Sequence, residues 1–231
     1  MELILEGVTE AWALIRHMDP IVMSAALRTL WVSSLAVGLA AMIGLPIGAF
    51  LARHPFPGRA LVVLLCRAGM AAPTVFVGIV CYAVFSRRGP LGPMEVLFTP
   101  WAIVAGELAL ALPIVISITH GAVKSLDPRV AQTAISLGAG PVRRWRTYLS
   151  EARVGVSLSV LTAFARCVTE LGIAMLVGGN ILGRTRTLAT ATALETAQGD
   201  FGRGLAMGFI LLLIALMVMA FIVLLSGERR R

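Results

Sequence analysis

The sequence predicts an all-α protein: a polytopic membrane bundle of about five transmembrane helices, forming a single domain over residues 1–231. Of its 231 residues, 58% are hydrophobic and 14% are charged, whereas soluble domains are about 45–50% apolar and about 25% charged. The mean hydropathy is +0.89. A helix of about 20 apolar residues crosses the bilayer core. The chain contains five such runs, at 28–52, 60–86, 101–120, 154–178 and 204–226.

The N-terminal segment, residues 1–20, is predicted to lie on the membrane surface. Its apolar residues alternate with polar ones that include Glu2, Glu6 and Glu10, a partly amphipathic pattern typical of interfacial helices. It lacks the basic stretch and short apolar core of a cleaved signal peptide. We therefore expect the first span to act as its own insertion signal.

The placement of the basic residues predicts the orientation, since Lys and Arg are retained on the cytoplasmic side. With the N-terminus outside and the C-terminus inside, the inner segments are all basic: 53–59, 124–153 and 228–231. Arg87 and Arg88 oppose this orientation, but the inner total is larger. Because the arginines flank apolar runs and form no basic face interleaved with aromatics, the net charge of +8 indicates a partner in the lipid bilayer and no nucleic acid.

The inner segment 127–153 carries helix start and stop signals. Asp127 suits an N-cap and Pro128 the first helical position. Gly138 and Gly140 can end a helix with positive φ, and Pro141 can start a second one. The prediction is two helices joined by a glycine turn: 128–137 and 141–151.

Two interpretations of this inner segment stay open on its residues alone. The first helix is built of small residues, which permit a close approach to a groove on another protein. The second helix is basic and carries Trp145 and Tyr148, which suits an ordinary surface loop with aromatic anchors at the membrane interface.

Ionisable residues inside the apolar runs are candidates for a transport pathway. Arg166 and Glu170 are four residues apart and so share one helix face. Either Arg166 presents positive charge to an anion path while Glu170 holds it, or the pair is purely structural. Glu107 either faces the bundle interior or is protonated and hydrogen-bonded; we assign it no role.

Three prolines are gating candidates, since each can kink a helix: Pro46, Pro73 and Pro113. Proline is also common in membrane helices without any such role. The three cysteines lie in apolar runs without metal-ligand spacing, so no metal site or cofactor is predicted in this chain.

Residues 132–138, Gln-Thr-Ala-Ile-Ser-Leu-Gly, resemble the EAA loop of ABC importer permeases, in which Glu-Ala-Ala is followed by three residues and a glycine. In that family the loop forms coupling helices that dock into the ATPase. Gln132 and Thr133 depart from the pattern, and Glu151-Ala-Arg153 stands near where many members have Leu-Pro. The resemblance implies a coupling role for a set of six residues: Ala131, Gln132, Thr133, Ala134, Gly138 and Ala139.

The stretch that follows is similar to the permease subunit of tungstate-type ABC transporters, a family closely related to the molybdate permeases. The similarity is carried by Phe164-Ala-Arg166, Glu170-Leu-Gly172, Val177-Gly-Gly-Asn-Ile181 and Gly183-Arg-Thr-Arg186. Thr169 departs, since relatives have a smaller residue there. The resemblance implies a type I ABC importer permease fold, a homodimer, a cytoplasmic ATPase dimer and an extracytoplasmic oxyanion-binding protein.

The outer loop, residues 179–203, is predicted to contain a small surface helix. Thr185 or Thr187 can cap a helix that begins near Leu188 and ends at Gly199. In the resembling family this region helps form the outer gate, which makes Asn180, Arg184 and Arg186 outer-mouth candidates whose arginines attract a released oxyanion. A plain helical connector fits the residues equally well.

The expected function is therefore the permease of an ATP-driven importer of tungstate or a related oxyanion, in the cytoplasmic membrane. The chain has no Gly-x-x-x-x-Gly-Lys-Ser/Thr loop, so ATP and Mg²⁺ are expected on the partner ATPase, and no catalysis is expected of this chain. One alternative is a permease for molybdate or sulfate. Another class is an ion-coupled secondary transporter using Glu107 or the Arg166 and Glu170 pair; a third is a membrane-embedded enzyme.

Overall fold

The computed structural model describes residues 2–226, and all regular structure within that range is helical. The predicted all-α class is thereby confirmed. The basic tail 228–231, which the sequence assigns to the inside, lies outside the described residues. The helices are α1 Glu2–Arg16, α2 Pro20–Arg53, α3 Arg59–Met70, α4 Thr74–Phe85, α5 Pro100–Lys124, α6 Pro128–Ser136, α7 Pro141–Glu151, α8 Arg153–Val168, α9 Leu188–Ala197 and α10 Phe201–Ser226, with a 3-10 turn at Gly92–Met94 and a π turn at Ala174–Gly178.

Three of the described helices are long and apolar enough to cross a membrane: α2, α5 and α10. They coincide with the predicted spans 28–52, 101–120 and 204–226. α2 begins eight residues before its predicted span because Asp19 caps it, accepting the N–H groups of Ile21 and Val22, both at 3.0 Å. Similarly, α5 continues four residues into the segment 121–153 that the sequence assigns to the inner loop.

The second predicted span, 60–86, is not one straight helix. It divides into α3 and α4, which meet at an angle of 104°. Pro73 explains the break, because its ring disfavours helical backbone at the preceding residue and it has no N–H to continue the ladder. Pro73 itself is extended, with φ −62° and ψ 122°, and stands before α4 as its cap residue.

The fourth predicted span, 154–178, is also interrupted. α8 ends at Val168, where the hydroxyl of Thr169 turns back to the carbonyl of Ala165 at 2.9 Å. Helical structure resumes at Gly172 and continues as the π turn up to Gly178. The carboxylate of Glu170 caps this new segment by accepting the N–H of Ile173. Hydropathy alone does not reveal the break, because the sequence is apolar on both sides of it.

The core forms where α2 and α5 pack along their length. Glycines on α2 permit this approach: a Cβ on Gly48 would lie 2.8 Å from the carbonyl oxygen of Ile116, and one on Gly44 would lie 2.9 Å from Val115. These glycines therefore serve close packing beside Pro46. α8 completes this part of the core through Phe164 and Cys167.

α1 packs along the first turns of α10. Ala11 is buried in this contact, and a Cβ on Gly7 would lie 2.7 Å from the Cβ of Leu205. The opposite face of α1 exposes apolar side chains, among them Leu5 and Trp12. Placement of residues 1–20 on the membrane surface stays a prediction, with α2 beginning at the last of them.

α9 is capped as predicted, but it is not a surface helix. Thr187 and Thr190 form a reciprocal capping box, and the hydroxyl of Thr29 accepts the N–H of Leu188 at 2.9 Å. Leu188 and Ala191 are fully buried. The prediction of a surface helix is wrong because small residues on α9 let α2 and α10 close over it.

Candidate functional site

The inner segment folds into a helical hairpin, residues 127–151, that we call the α6–α7 hairpin. Asp127 caps α6, since its carboxylate accepts the N–H of Arg129 at 2.8 Å. α6 ends at Ser136, one residue before the predicted end. Gly138 has a φ of +69°, whereas Gly140 has an ordinary φ of −65° and precedes α7. One of the two predicted glycine stops is thus used.

The six proposed coupling residues all lie on α6 or in the turn after it. Ala134 is buried, and Gln132 and Thr133 are exposed. A cavity of about 590 Å³ between α6 and α7 is lined by Thr133, Ala134 and Ala139, together with Arg143 of α7. The structure therefore brings three of these six residues to one surface.

Apolar side chains around this cavity have no cover within the described chain. Leu137 is 78% exposed and Val142 is 72% exposed. They stand beside polar and basic residues on short helices that are not apolar enough to enter a bilayer. Exposed apolar groups rimmed by polar ones are typical of an interaction site.

α7 fixes this hairpin to the membrane bundle. Trp145, Tyr148 and Leu149 pack against a small core formed by Ala49 of α2 and Val123 of α5. The guanidinium of Arg53 lies 4.9 Å from the centre of the Tyr148 ring, a cation–π contact. Only Ala152 separates α7 from α8, so the hairpin is attached to three bundle helices.

The intramembrane pair forms at the break after α8. Arg166 donates to Glu170 at 2.8 Å, with the carboxylate side chain 1% exposed and the guanidinium side chain 38% exposed. The second carboxylate oxygen of Glu170 accepts the N–H of Ile173 at 3.0 Å. Glu170 is thus a buried anchor that both caps the segment leading into the π turn and orients a partly exposed positive charge.

Glu107 faces the bundle interior, which is one of the two alternatives that the sequence left open for it. Its side chain is buried next to Ser33 of α2 and near Glu170. Within the described residues, neither its Oε2 atom nor the Ser33 hydroxyl has a hydrogen-bond partner of acceptable geometry. A buried acid without an ionic partner is expected to be neutral rather than charged.

The outer-mouth candidates Asn180, Arg184 and Arg186 lie in one tight turn after the π segment. Asn180 has a φ of +49°, Arg184 is exposed and Arg186 is half-buried. Thr185, considered from sequence only as a helix cap, instead closes this turn: its hydroxyl donates to the carbonyl of Gly178 at 2.6 Å and accepts the N–H of Ile181 at 2.9 Å.

Sequence reasoning missed the residue that ties this turn to α2. Arg28 donates to the carbonyl of Arg186 at 2.8 Å and to that of Gly183 at 2.9 Å. The only signal available was an arginine at the edge of an apolar run, since its partners are more than 150 residues away.

The three gating candidates differ in their settings. Pro46 and Pro113 lie inside the continuous helices α2 and α5, whereas Pro73 stands at the bend between α3 and α4. A Cβ on Gly69 of α3 would lie 3.0 Å from Pro113, which places the Pro113 turn against the bent pair. A gating role for these prolines stays a prediction.

A bundle of membrane helices with an anchored hairpin that exposes apolar side chains at one end is an arrangement that suits a membrane subunit working with a separate protein. The chain belongs to the family of binding-protein-dependent transport system inner membrane components, which it matches over residues 44–231. It is therefore a multi-pass inner-membrane protein and a transport subunit rather than an enzyme.

Individual relatives indicate which kind of transport permease the chain resembles. The chain is 33% identical over 228 residues to the tungstate uptake system permease protein TupB of Peptoclostridium acidaminophilum, covering 99% of this chain and 100% of that one. It is 37% identical to TupB of Campylobacter jejuni over 93% of this chain and 90% of that one. The molybdenum transport system permease protein ModB of Escherichia coli K12 is 30% identical over 89% of this chain and 95% of its own length. The resemblance to tungstate-type permeases is confirmed.

Proposed function

We propose that this chain is the permease subunit of an ATP-driven importer of tungstate or a closely related oxyanion. The observation that carries the proposal is the similarity to tungstate uptake permeases along almost the whole chain. The α6–α7 hairpin supports it, because its exposed apolar residues and firm attachment to α2 and α5 suit a docking element. Molybdate and sulfate are the nearest alternatives, since permeases named for both anions are similar to this chain.

Coupling in this proposal passes through the hairpin. A partner ATPase dimer binds ATP and Mg²⁺ and contacts α6 around Gln132 and Thr133. When the ATPases close, α6 moves as a rigid body, and α7 transmits the displacement to α2, α5 and α8 through the contacts of Tyr148 and Ala152. The membrane domain thereby exchanges inner access for outer access.

The proposed anion path uses the charged pair at the break after α8. Glu170 holds the guanidinium of Arg166, which keeps enough exposure to meet an anion, and a second copy of the chain supplies the other wall. A fixed positive charge in a region of low dielectric attracts an anion without reorganisation.

The proposed orientation has the α6–α7 hairpin in the cytoplasm and the turn at residues 179–186 outside. In this orientation the exposed Arg184 faces the oxyanion-binding protein, and Arg28 keeps the turn in place while that protein docks. Arg186 lies beside it and adds positive charge at the outer mouth.

Identifying the energy source of transport tests this function directly. The chain is co-expressed with its ATPase, purified with it and reconstituted into vesicles, and tungstate uptake is compared under ATP and under an ion gradient without ATP. We expect uptake only with ATP, and less uptake of sulfate than of tungstate. Uptake driven by the gradient alone would instead establish a secondary transporter. Chemical turnover by the purified chain alone would point to an enzyme.

A further inference from the structure

A basic cavity lies at the same end of the bundle as the α6–α7 hairpin, but between α3 and α5, and it shares no lining residue with the hairpin or the charged pair. Its volume is about 670 Å³, a size common for ligand sites. Its wall carries four basic side chains, those of Arg59, Arg67, His120 and Lys124, and apolar ones such as Leu64, with no acidic residue. The cavity is thus one of uncompensated positive charge.

His120 supplies a buried imidazole to the wall of this cavity. The residue is 3% exposed, and its Nε2 atom lies 3.5 Å from Nη2 of Arg59. The guanidinium can only donate, and which ring nitrogen carries the proton depends on the tautomer. The ring adds no negative charge to the cavity, so the charge of the guanidinium and ammonium groups around it stays uncompensated there.

The cations around His120 also lack anionic partners. Arg59 is held in place, since its Nε donates to the carbonyl of Leu51 at 2.6 Å. Arg67 and Lys124 make no side-chain hydrogen bond or ion pair within residues 2–226, where the pair of Arg166 and Glu170 is the one salt bridge. The three charges lie near enough to act on the His120 ring, and they repel one another.

The backbone adds to this field. Arg59 and Ala60, both in the cavity wall, are the first residues of α3, a helix of 12 residues. The N–H of Arg59 already donates to the carbonyl of Phe56 at 3.2 Å, so the helix start contributes mainly the positive end of its dipole, which favours an anion. Four basic side chains and a helix start therefore converge on one space.

We propose that this cavity binds a tetrahedral oxyanion group, either a free oxyanion or the phosphate of a membrane lipid. Arg67 and Lys124 neutralise its charge, beside the guanidinium of Arg59 that is held in the wall. The open face of α3, which has no buried residue, and Leu64 beside the cavity leave room for an acyl chain. This proposal holds whichever oxyanion the protein transports.

Binding to the purified full-length chain, without an ATPase, tests this proposal. Calorimetric titration with sodium tungstate and with inorganic phosphate measures free anions in uncharged detergent. Native mass spectrometry measures retained phosphatidylglycerol against phosphatidylcholine. We expect the double variant Arg67→Gln and Lys124→Gln to bind one of these ligands at least about tenfold more weakly, since two charge-assisted contacts are lost. If the variant binds a free anion more weakly, the site takes a free oxyanion. If it retains less lipid, the site takes a lipid phosphate.

The matched control is the double variant Arg87→Gln and Arg88→Gln, which removes the same charge from exposed residues outside this cavity. It should bind within about twofold of the parent, because screening weakens distant charges. If the Arg67 and Lys124 variant does not fold, as judged by gel filtration, Arg67→Gln alone replaces it, since that exposed side chain makes no hydrogen bond or ion pair within residues 2–226. Equal retention of every ligand by both variants, or no binding by the parent, would overturn the proposal.

Discussion

At the scale of single residues, two similarly buried carboxylates have different surroundings. Glu170 is fully engaged by Arg166 and by the N–H of Ile173, whereas Glu107 has no ionic partner in the described chain. The sequence suggested the first pair because its members are four residues apart. The bond to Ile173 was not predictable, since it requires the helix to break between them.

Arg166→Gln tests whether this positive charge serves the anion. Removing a charge-assisted contact worth about 1.5–3 kcal/mol is expected to lower tungstate uptake by about ten- to a hundredfold, measured in vesicles with the ATPase present. The double variant Arg166→Gln and Glu170→Gln is the control, because it leaves no unpaired buried carboxylate. Stability recovered together with transport in the double variant would mean that the pair is only structural.

Gly48→Ala tests the packing of α2 on α5. The added Cβ would lie 2.8 Å from the carbonyl oxygen of Ile116, an overpacking that costs about 1–3 kcal/mol. Gly38→Ala on the same helix meets nothing within 4 Å and should stabilise the helix by about 0.5–1 kcal/mol. Thermal unfolding in detergent should therefore move in opposite directions for the two variants; a shared direction would contradict the packing described.

At the scale of secondary-structure elements, the sequence predicted where helices begin from their capping residues. It held no signal for contacts between helices that are distant in the chain. Asp127 with Pro128, and Thr187 before α9, mark helix starts because capping involves only the next three residues. The bend at Pro73 was misjudged, since a hydropathy run continues through a proline. The burial of α9 could not be read from its sequence, because it depends on Thr29 and Gly204 of other helices.

Tyr148→Ala tests whether α7 transmits movement to the bundle. Loss of the ring removes the contact with Arg53, worth about 0.5–2 kcal/mol, and part of the core with Ala49 and Val123. We expect the ATPase to remain bound and to hydrolyse ATP, while uptake per ATP hydrolysed falls. Tyr148→Phe keeps the ring and should retain coupling. If Tyr148→Ala transports with the parental ratio, the force passes elsewhere.

At the scale of the whole molecule, the bundle has two chemically different ends. One end carries the α6–α7 hairpin and the basic cavity, and the other carries the turn tied down by Arg28. The fold class and the family followed from composition and motifs, whereas the two interrupted spans did not, because hydropathy reports polarity and not helix continuity.

Accessibility of introduced cysteines tests the orientation of these ends. Leu137→Cys lies in the hairpin and Leu182→Cys in the outer turn, and both parent side chains are exposed, at 78% and 56%. A maleimide that cannot cross membranes should label Leu182→Cys in intact cells and Leu137→Cys only after lysis. The unmodified chain, with Cys66, Cys81 and Cys167, gives the background. The reverse labelling pattern would invert the topology.

The near-continuity of α7 with α8 has a geometrical consequence for the size of the motions required. The 16 residues of α8 extend for about 24 Å at 1.5 Å per residue, from Ala152 to the last turn, which carries Arg166 of the charged pair. Rotating a rod of that length by about 5° at one end displaces the other by about 2 Å, comparable with the 2.8 Å separation of Arg166 and Glu170. We therefore expect a rotation of α8 by about 5° to alter the ionic contact between Arg166 and Glu170.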